Sequence, residues 1–384
     1  MRILFVTSEL TCSNTSAAIR NRNFVRGLLS IGTVDLYEIK QYSNAQVLYS
    51  LPKEIKSYFQ MRLDYSTESN AHVSHSMSSK IRGFFTKVIK SVIPDKLAIL
   101  EISGFPELYL GNYDVIISSS DPKGIHIATS RFISKYKKDF KGKYIQYWGD
   151  PWYDDISRST NLLTRISEKK LLGFSDCVIY NSKRTLERQK TIYPHLSDKM
   201  NYLPRGIFSE VGDYTVDIPP VSRDCNEIVY AGDYRSRYRN ITPLLEAIES
   251  SEFVLNVYGD GDLPDKSYEK TTFSSRLPKE ELDKITRSAS VQIVLMNDKG
   301  GQIPGKLFDL MLSSHHVLVI LDGEFTIDDI PCSERFFICE NSKESILHEL
   351  MKIRSGSGTM TLDLKNYGIN ELVSNMFTSL IEDK

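Results

Sequence analysis

Residues 291–321 read VQIVLMNDKGGQIPGKLFDLMLSSHHVLVIL. Two runs in it, VQIVLM (291–296) and HVLVIL (316–321), are nearly all apolar, broken only by Gln292 and His316, instead of alternating. That is the pattern of strands buried on both faces of a parallel sheet. Between them lie a Gly-rich turn and the run IPGKLFDLM (303–311). Strand, short helix and strand in this order predict a parallel β-α-β unit. Its helix would begin at the carboxyl edge of the sheet, where open α/β folds bind ligands.

The same alternation extends outward. Upstream, EIVYAGD (227–233) reads as a strand, and Thr242-Pro243 as a helix cap with proline at the first helical position. FVLNVYGDGD (253–262) reads as strand then turn, and Pro278 followed by Glu280 and Glu281 as a helix start with acids near the free amides. Downstream come a strand at RFFICE (335–340), a cap at Ser342 and a helix near 369–382. The polar stretch from Glu210 to Asn226, with Pro219-Pro220, reads as a linker. Before it the pattern recurs in RILFVT (2–7), a helix near 17–29, VDLYEI (34–39), DVIISS (114–119), KYIQYW (143–148) and DCVIYNS (176–182). MNYLPRG (200–206) closes that half, and residues 41–80 do not parse cleanly.

At 384 residues the chain exceeds the roughly 250–300 at which one core stops growing. The expected division is 1–207, 208–368 and a terminal helix at 369–384 placed to pack back on the first domain. The net charge of −1 hides +11 over residues 1–205 and −12 over 206–384. The positive half suits an anionic partner, or else the two signs help the domains dock. No nucleic-acid motif accompanies the charge. Five scattered cysteines without metal-site spacing read as reduced thiols in a cytoplasmic protein, with no metal expected. No run approaches 18 apolar residues, so no spanning helix is expected. Residues 80–100, KIRGFFTKVIKSVIPDKLAIL, mix lysines and arginine with an apolar helical face. That segment suits either an anionic membrane surface or ordinary packing on the sheet.

Chemistry is placed by the strand ends. Gly300, Gly301 and Gly305 allow close backbone approach, Pro304 opens the helix and Lys306 adds a cation for a diphosphate. Asp309 lies one turn deeper, where a carboxylate accepts bonds from sugar or ribose hydroxyls. YAGDYRSRYRN (230–240) follows a strand with Gly232, Arg235, Arg237 and Arg239. Arginines there neutralise charge on a leaving diphosphate; the bland alternative is a solvated loop. The run is neither a P-loop nor a dinucleotide fingerprint. In the first half, YWGDPWYDD (147–155) ends a strand. Asp150 either takes or orients a substrate hydroxyl proton or caps a turn, and Trp148 and Trp152 either stack on a sugar or sit in the core. Asp121, Lys123 and His126 follow another strand, and Thr11, Ser13, Asn14 and Thr15 follow the first.

These stretches resemble the family 4 glycosyltransferases. The resemblance is clearest in VYAGDYRSRYRNITPLLEAI, VLNVYGDGD, RLPKEELDKITRSASVQIVLM and IPGKLFDLMLSSHHVLVIL, with DCVIYNSKRTLERQK and YLPRGIF at the crossover. MRILFVTSE and YWGDPWYDD match more weakly. The resemblance implies an α/β GT-B fold of two facing Rossmann-like parallel-sheet domains. It implies a UDP- or GDP-sugar in the second domain, contacted by Gly232, Arg235, Gly259, Asp298, Gly301, Pro304, Gly305 and Asp309, with Arg239 and Lys306 on the diphosphate. From the strand-end reading above, Asp150 is expected to be catalytic, and Ser13, Asn14, Asp121, His126, Trp148 and Trp152 to meet a glycan or lipid-linked acceptor. No further cofactor is implied. The family has two glutamates eight positions apart. By resemblance Asp309 stands at the later one, while the earlier one falls at Gly301, with Asp298 as a substitute. The resemblance also implies retention, surface-polysaccharide synthesis and a place on the cytoplasmic face of the inner membrane. The alternatives are a GT-B epimerase or phosphorylase, and a nucleotide-binding scaffold without turnover.

Overall fold

The computed structural model describes all residues except 9, 14, 41–46, 63–88, 90, 91, 100–108, 223, 224, 263–265, 383 and 384. The chain divides into two compact units, Met1–Gly206 with Ile369–Lys384, and Ile207–Gly368.

The first unit carries a seven-stranded parallel sheet: β1 (Arg2–Thr7), β2 (Thr33–Lys40), β3 (Ser57–Arg62), β4 (Val115–Ser119), β5 (Lys143–Trp148), β6 (Cys177–Tyr180) and β7 (Met200–Tyr202). Their order is β3-β2-β1-β4-β5-β6-β7. The chain reverses direction of travel between β1 and β4, so the carboxyl ends of those strands border a crevice. Helix Ser16–Leu29, which follows β1, starts where the Thr15 hydroxyl accepts the Ala18 N–H. Helix Gly124–Lys135 follows β4, and Leu162–Phe174 and Lys183–Ile192 flank β6. The last helix, Ile369–Glu382, belongs to this unit: a Cβ on Gly27 would lie 2.6 Å from Val373 Cγ2. That close approach of two helices needs a residue without a side chain at Gly27.

The second unit repeats the plan with β9 (Glu227–Ala231), β10 (Val254–Tyr258), β11 (Thr271–Ser274), β12 (Val291–Leu295), β13 (His316–Leu321) and β14 (Phe337–Glu340), ordered β11-β10-β9-β12-β13-β14. Every residue of β12 and β13 is buried. Each fully buried aliphatic side chain contributes about 1.5–3 kcal/mol, which is why these two runs dominate the sequence signal. Helix Thr242–Glu249 has Ile241 at its cap, and Asn240 Oδ1 accepts the Thr242 N–H at 3.1 Å. The capping side chain is therefore Asn240 and not Thr242.

The stretch read as a linker holds a strand. β8 (Thr215–Ile218) pairs antiparallel with β15 (Met360–Asp363). Its alternation is only four residues long, exposed and buried in turn, too short to stand out among polar neighbours. Most of segment 80–100 lies outside the described residues. Ile89 and Val92 are exposed, but Leu97 and Ala98 are buried in a short 3₁₀ turn, Lys96–Ile99, after Pro94. The Asp95 carboxylate there accepts the N–H groups of Leu97 and Gly124. This end of the segment is therefore a clip on the first unit's core. Among the described residues no helix is long and apolar enough to cross a membrane.

Candidate functional sites at the two sheet edges

In the second unit the loops after β9 and β12 meet. Arg239 Nε donates to Asn297 Oδ1 at 2.8 Å, and its Nη1 to the Asp233 carbonyl at 3.2 Å. Asn297 in turn donates to the Gln302 carbonyl at 3.1 Å, and the Asp298 N–H to the Tyr238 carbonyl at 2.9 Å. One buried amide side chain thus couples the arginine loop to the glycine loop. Gly300 has φ of 79°, a left-handed conformation that favours glycine. A Cβ on Gly259 would lie 2.1 Å from the Gly232 carbonyl, so the turns after β9 and β10 are pressed together.

Pro304 precedes the helix Gly305–Asp309, which has only five residues. Gly301 is buried, Lys306 half-buried and Asp309 exposed. Arg235 and Arg237 are exposed, with Arg237 over the Tyr238 ring, so Arg239 is the loop arginine held at the strand edge. Asp298 Oδ1 is buried with no hydrogen-bond partner among the described residues, and Lys299 lies 3.8 Å from its other oxygen. An unpaired buried carboxylate oxygen is costly and marks a place for a donor. Arg276, which the sequence reading passed over, bridges Asp233 and Asp260. It lies past β11 in a run with no apolar period to draw attention.

In the first unit the edge is built from the ends of β1, β4 and β5. Asn21, fully buried, donates to Thr7 Oγ1 at 2.8 Å and accepts from Ser119 Oγ at 2.6 Å. This bolts the helix after β1 to two strand ends. Ser120 Oγ accepts the Gly149 N–H at 3.2 Å, joining β4 to β5. Beyond them, buried Lys123 contacts Asp121 and Asp155, each at 3.0 Å. Burial pulls the Lys123 ammonium down, but Asp121, Asp155 and Asp150 outweigh it and leave it raised. Burial pushes the Asp150 carboxyl up to about 6; Asp121 and Asp155 add repulsion, while Lys123 and Arg20 oppose. A carboxyl that titrates near neutrality at a strand's carboxyl end has the properties of a general base.

The loop bearing Asp150 is fixed from below. Glu168, fully buried, accepts the N–H groups of Trp152 and Tyr153 and the Tyr193 hydroxyl. Both tryptophans lie in the core, Trp148 at 0% and Trp152 at 2% exposure. Trp148 donates to Gln146 Oε1 and stacks on His126 at 4.3 Å. A sugar-stacking role for Trp148 and Trp152 is corrected accordingly: neither ring has a free face. His126 is corrected on the same ground. It is fully buried, its Nδ1 lies 2.7 Å from Ser118 Oγ, and burial holds its imidazole well below the usual range. A neutral, enclosed ring cannot meet an acceptor. Ser13 is engaged locally, its hydroxyl accepting the Thr15 N–H and its carbonyl accepting from Arg22. Asn14 lies outside the described residues.

No protein-family model and no curated protein matches the sequence. Solved structures do. A lipopolysaccharide outer core galactosyltransferase in apo form matches at 12% identity over 100% of both chains, with a TM-score of 0.61. A sucrose-phosphate synthase from Thermosynechococcus elongatus matches at 14% identity over 100% of this chain and 99% of that one, at 0.56. A trehalose-6-phosphate protein from E. coli, bound with UDP-2-fluoro glucose, matches at 10% identity over 99% of both, at 0.58. Likeness at such identities speaks for architecture: the chain has the GT-B fold, two Rossmann-like parallel-sheet units.

Proposed function

We propose that this protein is a glycosyltransferase that moves a sugar from a nucleotide-sugar, UDP- or GDP-linked, to a glycan or lipid-linked acceptor. The observation that carries the reading is the Arg239–Asn297–Gln302 relay. It draws a cation and a glycine loop to one carboxyl edge of the second unit, where β9 and β12 are neighbours. There Arg239 and Lys306 meet the diphosphate, Asp309 the ribose, and Asp298 the donor sugar in place of the carboxylate that Gly301 cannot supply. Gly232 and Gly259 let the backbone approach, with Arg235 at the rim and Pro304 and Gly305 framing the phosphate side. Asp150 of the first unit serves the acceptor hydroxyl, with Asp121 acting on it and Ser13 as a further acceptor contact. The resemblance to family 4 enzymes favours surface-polysaccharide synthesis at the cytoplasmic face of the inner membrane.

Calorimetric titration with UDP, GDP and ADP tests the reading. One of them binds at micromolar to millimolar concentration, and Lys306→Ala and Arg239→Ala each weaken it about 10-fold, roughly 1.4 kcal/mol. Unchanged affinity in both variants would remove the assignment. The family resemblance implies retention, with the donor phosphate receiving the proton. Asp150, tuned as a base, favours a second reading, inversion by in-line attack. Proton NMR of the product's anomeric signal in the first minutes of reaction separates the two.

A further inference from the structure

Arg20 lies on the first turns of helix Ser16–Leu29 and is 4% exposed. Its guanidinium sits over the Tyr147 ring at 5.1 Å and against the backbone of Gly149. A Cβ at Gly149 would fall 2.0 Å from Arg20 Nη1. Its direction is fixed on both sides. Asn21 is bolted to Thr7 and Ser119, and Phe24, one turn on, packs its ring 4.4 Å from that of Tyr147.

Arg20 Nε and Nη2 are buried and have no hydrogen-bond partner among the described residues. The same holds for the Tyr147 hydroxyl and for Ser8 Oγ, just past β1. A buried cation without an acceptor is destabilising, so it persists where something else uses it. The two unpartnered nitrogens occupy one edge of the guanidinium, where two parallel N–H groups point the same way. That edge matches the two oxygens of a carboxylate or phosphate. This protein uses the same edge elsewhere: Arg188 Nε and Nη2 grip the two oxygens of Asp154 at 2.6 and 2.9 Å. The positive charge of this half of the chain favours an anion here. Asp150, half-buried on the residue after Gly149, is the acidic group beside the site.

We infer that Arg20, held over the Tyr147 ring, forms an oxyanion site that selects an acidic acceptor, a sugar bearing a carboxylate or a phosphate. The inference rests on the acceptor being held by the first unit, as proposed above. The anion docks on the Nε/Nη2 edge, and the hydroxyl to be glycosylated then falls to Asp150. Arg20 is the specificity-determining residue for the acceptor, and a neutral sugar leaves its two donors unpaired.

The test is calorimetry on the full chain with inorganic phosphate, glucose 6-phosphate, glucuronic acid and glucose, for wild type, Arg20→Met and Gly149→Ala. The expected result is that glucose 6-phosphate or glucuronic acid binds at least 10-fold more tightly than glucose. The two arms tell phosphate from carboxylate, and inorganic phosphate reports the anion alone. Arg20→Met and Gly149→Ala, the second by pushing the guanidinium aside without removing charge, reduce that preference to within twofold. UDP affinity stays within twofold of wild type in both. Without ligand, Arg20→Met melts no lower than wild type, since it removes a buried charge that has no partner. Three results would overturn the site: acids bound no better than glucose, a preference that survives Arg20→Met, or UDP binding lost together with it. A large fall in melting temperature for Arg20→Met would likewise make Arg20 a structural cation. If wild type binds acidic sugars but no nucleotide, the glycosyltransferase reading fails while the oxyanion site stands.

Discussion

Asp150→Asn is expected to lower turnover by about 10²- to 10⁴-fold, the usual worth of a positioned base, while raising the melting temperature at pH 7–8. The two effects have one cause. Burial and the charges of Asp121 and Asp155 hold the Asp150 carboxyl at about 6 against an ordinary value of 3.8. For an acid whose pKa is raised on folding, the folded state holds the proton more tightly. The stability this contributes is fully present below about 3.8 and is lost as pH rises through about 6. Above that pH the ionised carboxylate is a cost the fold carries, and asparagine removes it. Catalysis has the opposite sign, because only the ionised form takes a proton. The wild-type kcat/KM should therefore fall below about pH 6 with the titration of Asp150. Donor binding should be unaffected, because the donor contacts are assigned to the second unit. Thermal melts at pH 5 and pH 8 with a pH–rate profile check both halves. A variant that loses stability at pH 8, or keeps its rate, would sink the assignment.

How much of this was legible depended on where each signal lay. β5 and β13 were readable from the sequence to the residue, because both are buried on both faces and rich in aromatic and aliphatic residues without a regular polar alternation. β3, β8, β11 and β15 were not, since strands of four to six residues at sheet margins carry too little alternation to stand out. Trp148 and Trp152 were ambiguous because an aromatic run at a strand end serves a core and a sugar site equally well. What decided the matter was Glu168, whose buried carboxylate collects the loop's amides from below. Arg20 was illegible for a different reason. In SAAIRNRNFVRGLL three arginines sit within seven positions, and helical periodicity cannot tell an enclosed guanidinium from a solvated one. Burial and missing partners separate them, and both are properties of three-dimensional packing. The same holds for Asn297, a single amide between two loops, which no motif contains.

Arg335→Met is expected to destabilise the second unit by about 3–5 kcal/mol, an estimate from several buried carbonyls losing their donor at about 1–3 kcal/mol each. In sequence Arg335 opens the run RFFICE and reads as the start of a strand. In the fold it is fully buried in a 3₁₀ turn, Ser333–Arg335, ahead of β14. Burial pulls its guanidinium down to about 10, yet among the described residues no carboxylate is paired with it. Backbone dipoles do: Nε donates to the Met311 carbonyl at 3.0 Å, and Nη2 to the carbonyls of Ser313 and His315, the latter at 2.8 Å. These carbonyls belong to the turn that ends the helix Gly305–Asp309 and leads into β13. A short helix cannot hold itself in place, since nucleation is costly and five residues supply few internal bonds. Arg335 therefore fixes the end of the element whose beginning presents Lys306. Methionine fills the volume and gives none of the hydrogen bonds. At about 2–4 °C per kcal/mol for a unit of this size, its melting transition should drop by roughly 10 °C. Nucleotide affinity should fall with it even at temperatures where the unit stays folded. Arg335→Lys should recover only part of either, because one ammonium cannot reach carbonyls spread around a planar fork. Differential scanning calorimetry with UDP titration below the transition checks this. A loss under about 1 kcal/mol would show that the turn after Asp309 holds its shape without the buried arginine.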